Sequence, residues 1–220
     1  MKRAVPPSVV ALAGPNGAGK STAGPALLKG ALRVTEFVNA DVIAQGLSAF
    51  GPERVALTAG KVMLARMRDL AAKRVSFAFE TTLAGRLHAP WLRALLAQGY
   101  EFHLVYLWLP GPEFAVRRVR NRVLLGGHSV PEATIRRRYR AGLRNFFTVY
   151  RSLATRWRVY DNSAGPIPRL IASGRGTTVT RVKDKTIWAR MAKEAGRLNE
   201  SDVRRSEKSW PRAHSSKRRF

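Results

Sequence analysis

The sequence predicts a three-layer α/β fold: a parallel five-stranded sheet with helices on both faces. Three observations predict it. A glycine-rich loop near the start is preceded by a short apolar run and followed by a helix-compatible segment. Beyond it, short apolar runs alternate with amphipathic stretches along the chain, the pattern of a parallel sheet covered on both sides. A hydrophobic share of 45% in 220 residues suffices for one proper core.

The first strand is Ser8 to Leu12, and it runs into ALAGPNGAGKST. The spacing Gly14-x-x-x-x-Gly19-Lys20-Ser21 is the P-loop pattern. In that pattern Gly14, Asn16, Gly17, Ala18 and Gly19 curl the backbone so that N–H groups cradle phosphates, with Ser21 and Thr22 opening the next helix. Lys20 reaches the β- and γ-phosphates of ATP, and the Ser21 hydroxyl ligates Mg²⁺. The helix from Ser21 to Leu28 aims its positive end at the same anion. The bland alternative, a glycine-rich turn, fails to explain the strand–loop–helix order.

Arg33 to Asp41 offers a second strand carrying Asn39 and Asp41 at its C-terminal end. A helix follows from Glu53 to Lys73, with Val55, Ala59, Val62, Met67 and Leu70 expected inside. Ser76 to Phe79 is a strand ending in Glu80-Thr81-Thr82. The helix from about Pro90 to Gln98 stops at Gly99, a C-terminal cap. His103 to Leu109 is the fourth strand. The helix Glu113 to Leu124 buries Val116, Val119 and Val123, with Arg118 and Arg122 four apart on one side. Gly126-Gly127-His128 breaks it, and Ser129-Val130-Pro131-Glu132 reads as a capping box. The helix it opens has the inner face Ile135, Tyr139, Leu143, Phe146 and Tyr150. Trp157 to Tyr160 is the fifth strand, ending at Asp161-Asn162-Ser163. Thr177 to Val182 reads as a small edge strand and Thr186 to Ala195 as a last helix.

The domain therefore spans residues 1–195, with residues 196–220 as a flexible basic tail. The formal charge is +26. The tail reads first as a solubilising extension; its functional alternative is weak, salt-sensitive contact with nucleic acid. The absence of cysteine excludes disulfides and thiolate metal sites and suits a cytoplasmic protein. Met1-Lys2-Arg3 and the apolar run after it imitate an export signal, but that run feeds the phosphate loop. No apolar stretch nears the roughly 20 residues that span a membrane.

Ligands of such sheets sit beyond the C-terminal strand ends, which collects the P-loop, Asn39, Asp41, Glu80, Thr82 and Asp161 to Ser163. Phosphoryl transfer to a hydroxyl needs a cradled nucleotide, Mg²⁺, a base and positive charge on the moving group. Asp41 is the candidate base; its plain alternative is the N-cap of a short helix. Asn39, Glu80, Thr82 and His128 are candidates for the acceptor, and Glu80 also for a metal-bound water. Residues 118–138 read as a lid on a glycine hinge, offering Arg122 first, then Arg118 and Arg138.

Taken together, GPNGAGKST, FVNAD, FAFETTLAGR, LVYLWLP, GGHSVP, RRRY and VYDNS resemble the zeta toxin family of P-loop kinases, over Ser8 to Ser163. The resemblance implies a three-layer P-loop NTPase of kinase type that phosphorylates UDP-N-acetylglucosamine with ATP and is restrained by an antitoxin protein. It places the family's lysine on Lys20, its catalytic aspartate on Asp41, and its substrate-contacting glutamate and threonine on Glu80 and Thr82. The first lid arginine falls on Arg122; the second falls near His128, where this chain has no arginine. Two alternatives stand beside this small-molecule kinase: a nucleoside, nucleotide or polynucleotide kinase, and a transport or regulatory ATPase. Against the last, LVYLWLP ends without an acidic pair and no LSGGQ-like signature is present.

Overall fold

The computed structural model describes residues 5–29, 34–48, 52–165 and 167–196. Residues 197–220 of the expected tail, the basic start Met1-Lys2-Arg3 and Arg33 lie outside the described residues. In chain order the elements are β1 (Ser8–Ala13), α1 (Lys20–Lys29), β2 (Glu36–Val38), α2 (Ala40–Leu47), a 3-10 turn (Pro52–Val55) and α3 (Ala56–Ala72). They continue with β3 (Phe77–Thr81), α4 (His88–Ala97), β4 (Glu101–Trp108), α5 (Pro112–Leu124) and α6 (Glu132–Asn145). A π-turn (Phe146–Tyr150), α7 (Arg151–Leu153), β5 (Arg156–Asp161), β6 (Arg169–Arg175), β7 (Thr178–Val182) and α8 (Lys185–Glu194) complete the fold.

The sheet order is β2-β3-β1-β4-β5-β6-β7. The five expected strands are all parallel: β1 pairs with β3 and β4, β2 with β3, and β4 with β5. The expectation of five strands is corrected to seven, because β6 and β7 add an antiparallel hairpin beyond β5. β7 is the expected edge strand; β6 lacks a sequence signal, because RLIASGR ends in small residues and arginine rather than a clean apolar alternation.

β1 and β4 lie inside the sheet, and Val9 through Ala13 are fully buried. Parallel strands covered on both faces read as continuous apolar runs, as these do. The chain leaves β1 towards β3 on one side and β4 on the other, so the loop after β1 opens at the crevice where the topology reverses. On one side of the β4–β5 half, Tyr106, Phe146, Trp157 and Trp188 form a connected aromatic core, with Trp157 and Trp188 stacked at 5.5 Å. The expected inner face of α6, from Ile135 through Tyr150, is buried throughout, although its last turn is π-helical.

Three local expectations are corrected. α3 buries Ala59, Met63, Met67 and Leu70, while Val62 is 43% exposed. The inward stripe follows steps of four, four and three residues, which leaves position 62 about a quarter-turn off it. Val123 is half-exposed at the frayed end of α5 rather than inside. No capping box forms before α6: the N-cap is Pro131, without a side-chain hydrogen bond. Glu132 is drawn to Arg120 and Arg136 instead of reaching back to Ser129.

Candidate active site

The loop after β1 is wedged between neighbouring strands. Gly14 donates its N–H to the Thr81 carbonyl at 3.2 Å. A Cβ on Gly14 would meet the Leu107 carbonyl oxygen at 2.4 Å, and φ is +145°, so only glycine fits. Gly19, at φ +76°, would collide with the Asn162 amide at 2.7 Å. Asn162 is buried after β5 and donates Nδ2 to the Ala18 carbonyl at 2.7 Å. The loop is thus tied down from β3, β4 and β5.

Lys20 opens α1 and is 6% exposed. Its ammonium donates to the Gly14 and Pro15 carbonyls, both at 2.9 Å, and lies 3.5 Å from Glu80 Oε1. Burial lowers its pKa; Glu80 and Asp41 oppose that shift, and Arg122 adds to it. Asp41, Glu80 and Arg122 are therefore all within electrostatic reach of the Lys20 ammonium.

Glu80, near the end of β3, is the hub. Its Oε2 accepts from the Ser21 hydroxyl at 3.1 Å and from Asn39 Nδ2 at 2.8 Å. Asn39 also caps α2, accepting from the N–H groups of Asp41 and Val42. The N-cap role that Asp41 could have played thus belongs to Asn39, which leaves the Asp41 carboxylate in the first turn of α2 and exposed. Asp41 lines a small cavity with Ala40, Ala44, Gln45, Ala56 and His128. Gln45 and Ala56 carried no sequence signal.

The arginines of α5 and α6 divide. Arg136 bonds Glu113 and Glu132, and Arg120 bonds Glu132, clasping α5 to α6. Arg122 donates to the His128 carbonyl at 2.6 Å, while its Nε is buried without a partner. Arg138 has its pKa lowered by burial and by Arg137, with Asp41 acting in the opposite direction. The Asp41 carboxylate is thus within electrostatic reach of the Arg138 guanidinium. Arg118 stands apart from that pair: it donates to the Ser163 carbonyl at 3.1 Å and lies over the Phe114 ring, backing the P-loop at Gly17. Thr82 follows β3, and its hydroxyl accepts from the Ala84 N–H at 3.4 Å. Ser21 and Thr22 are exposed on the first turn of α1, and Ala18 is buried beneath it.

Two polar atoms here lack partners, Asn16 Oδ1 in the loop and Arg122 Nε above it. Such atoms are costly unless a ligand or water completes them. Together with a helix N-terminus and a buried lysine, they suit a polyphosphate. No cluster of three or more His, Cys, Asp or Glu side chains suited to a metal occurs among the described residues. Ser21 and Glu80 instead supply two hard oxygen donors, a set that fits Mg²⁺ completed by phosphate oxygens and water.

Residues 9–144 match the family described as an AAA domain. An uncharacterised protein of Haemophilus influenzae is 26% identical over 126 residues, covering 57% of this chain and 88% of that protein. Among solved structures, the PezAT chromosomal toxin-antitoxin system of Streptococcus pneumoniae is similar at a TM-score of 0.58 and 17% identity, over 94% of this chain and 87% of that one. The AvrRxo1-ORF1:AvrRxo1-ORF2 complex is similar at a TM-score of 0.62 and 16% identity, over 84% of this chain. This chain spans 63% of that structure's length. At these identities the likeness is one of fold: a three-layer P-loop kinase-like architecture.

Proposed function

Because the chain belongs to the AAA domain family over residues 9–144, we propose that it is an ATP-dependent phosphotransferase that moves the γ-phosphoryl group to a hydroxyl of a small molecule. The observation that carries the reading is the position of Glu80, whose one carboxylate engages Lys20, Ser21 and Asn39. It joins the phosphate loop to the segment that presents Asp41.

In this reading Gly14 to Thr22 cradle the nucleotide, and Lys20 exchanges its loop carbonyls for β- and γ-phosphate oxygens. Ser21 and Glu80 would hold Mg²⁺, which offsets phosphate charge when bound. Asp41 takes the proton of the acceptor hydroxyl as its oxygen bonds to the γ-phosphorus and the bond to the ADP oxygen breaks. Arg122 and Arg138, with Arg118 behind the loop, offset charge on the moving phosphoryl group. His128, which lines the Asp41 cavity, and Asn39 and Thr82 beside β3 contact the acceptor.

The finer reading is a nucleotide sugar, UDP-N-acetylglucosamine, as acceptor and a cognate antitoxin as partner. It is supported by the motif order from GPNGAGKST to VYDNS and by the fold shared with the PezAT system. Labelled ATP incubated with separate pools of nucleotide sugars, nucleosides and oligonucleotides tests it. Label is expected in the nucleotide-sugar pool. Label confined to oligonucleotides or nucleosides overturns that acceptor, and label passing only to water overturns phosphotransfer itself.

A further inference from the structure

The sheet carries a second polar surface, remote from the phosphate loop. Along β5, Trp157 and Val159 are buried and Arg156 and Arg158 are exposed. The side-chain alternation of a strand puts both arginines on the face opposite the aromatic core. Arg158 pairs with Ser173 of β6, and Ser173 pairs with Arg181 of β7, so Arg158 and Arg181 share that face. Gly174 packs against the Trp157 ring on the core side, which sends Arg175 outward again. Arg175 and Arg181 are exposed too.

The four arginines thus share one face that is exposed among the described residues, their backbone positions about 7 Å apart along β5 and roughly 10 Å apart from β5 to β7. None of the four makes an ion pair among the described residues. The one acidic residue of the three strands, Asp161, is buried and bonded to Arg169. On β4, His103 feels both Arg156 and Arg158, and the nearby Glu101 is engaged with His103. Like charges on neighbouring strands oppose sheet formation, so folding gives no reason to gather them. The sequence beyond residue 196 has acidic residues only at Glu200, Asp202 and Glu207 and is net basic.

We infer that the face formed by Arg156, Arg158, Arg175 and Arg181 binds the phosphodiester backbone of single-stranded nucleic acid. All four are arginines, whose planar forks match phosphate oxygens in pairs. The surface is an open sheet with no free helix to enter a duplex groove, which favours a single strand. It lies towards the N-terminal ends of the parallel strands, opposite the P-loop, so it serves tethering and not turnover. This inference is independent of the acceptor's identity.

The test uses the full chain and a fluorescein-labelled 20-nucleotide oligo(U), read by fluorescence anisotropy across a salt series. The variant replaces all four arginines with alanine; the control replaces the exposed Arg54, Arg68, Arg93 and Arg144 instead, which keeps net charge matched. Both are checked for an unchanged melting transition and ATP turnover. The face variant is expected to bind about tenfold or more weakly. Its log–log salt slope is expected to fall by about 2 to 3, at about 0.7 for each phosphate no longer neutralised. Equal weakening in the control, or no weakening in the face variant, overturns the inference. Displacement of the oligonucleotide by polyglutamate as readily as by unlabelled oligo(U) also overturns it, in favour of an acidic peptide.

Discussion

Gly142 of α6 rests against the backbone of Thr82: a Cβ at position 142 would meet the Thr82 carbonyl oxygen at 2.2 Å. Three residues on, buried Asn145 donates Nδ2 to the Leu83 carbonyl at 2.8 Å and to the Ala84 carbonyl at 3.3 Å. Leu83 itself is buried with φ +55°, a backbone state that costs a branched residue energy. Helix α6, which carries Arg138, therefore also shapes the segment that presents Thr82.

Gly142→Ala is expected to destabilise the fold by about 1 to 3 kcal/mol, the cost of overpacking against backbone. Asn145→Ala leaves the buried Leu83 carbonyl and the part-buried Ala84 carbonyl without this donor and is expected to cost about 1 to 3 kcal/mol. Urea unfolding measures both. In the proposed kinase both variants raise KM for the acceptor more than for ATP, because the nucleotide loop lies on other elements. An equal rise in both constants would detach α6 from the acceptor side.

Lys20→Met removes the ammonium that bonds the Gly14 and Pro15 carbonyls and faces Glu80. Phosphoryl transfer is expected to fall by about 10²- to 10³-fold, the range for losing one preorganised donor. Because a buried ammonium with a lowered pKa opposes folding, the variant is not expected to melt lower. Turnover and thermal melting of the same sample check the two halves separately.

Asp41→Asn keeps shape and hydrogen bonding on α2 but removes the proton acceptor. A fall of about 10²- to 10⁴-fold in kcat is expected, with ATP affinity little altered. Arg122→Ala is expected to lose about 10³-fold or more, through charge on the moving phosphoryl group. Nucleotide titration beside single-turnover kinetics separates binding from chemistry in both variants.

Much of this site was legible because its parts follow strand ends. The P-loop, Asn39, Asp41 and Glu80 come together around Lys20, as an open α/β crevice requires. What escaped reading depends on contacts between distant segments. Nothing local marks Asn145 as the partner of Leu83, since a lone asparagine in an amphipathic helix is ordinary. Gly142 was a readable signal: a glycine inside a helix often marks a close backbone approach. The missed β6 has a related cause. RLIASGR is stabilised by pairing with β5 and by Trp157 filling the space over Gly174, not by its own apolar pattern.

Asp161 offers the clearest pH test. It sits at the end of β5, just before Asn162 and the P-loop contact. Burial would raise its pKa, but the Ser163 hydroxyl and N–H and the Arg169 guanidinium outweigh burial, and the net shift is downward. A carboxylate whose folded pKa lies below its unfolded value, about 3.9, stabilises the fold fully above that value. The contribution is lost as pH falls from about 4 through the folded pKa. The native chain is therefore expected to lose stability in acid faster than Asp161→Asn, whose amide does not titrate. At pH 7 the variant is expected to be about 1 to 3 kcal/mol less stable, from the absence of a buried carboxylate's charge-assisted bonds. The gap between the two denaturation curves should narrow as the pH falls below about 4. If the gap instead stays constant from pH 7 to pH 3, Asp161 holds Ser163 and Arg169 by shape alone, and its charge contributes nothing.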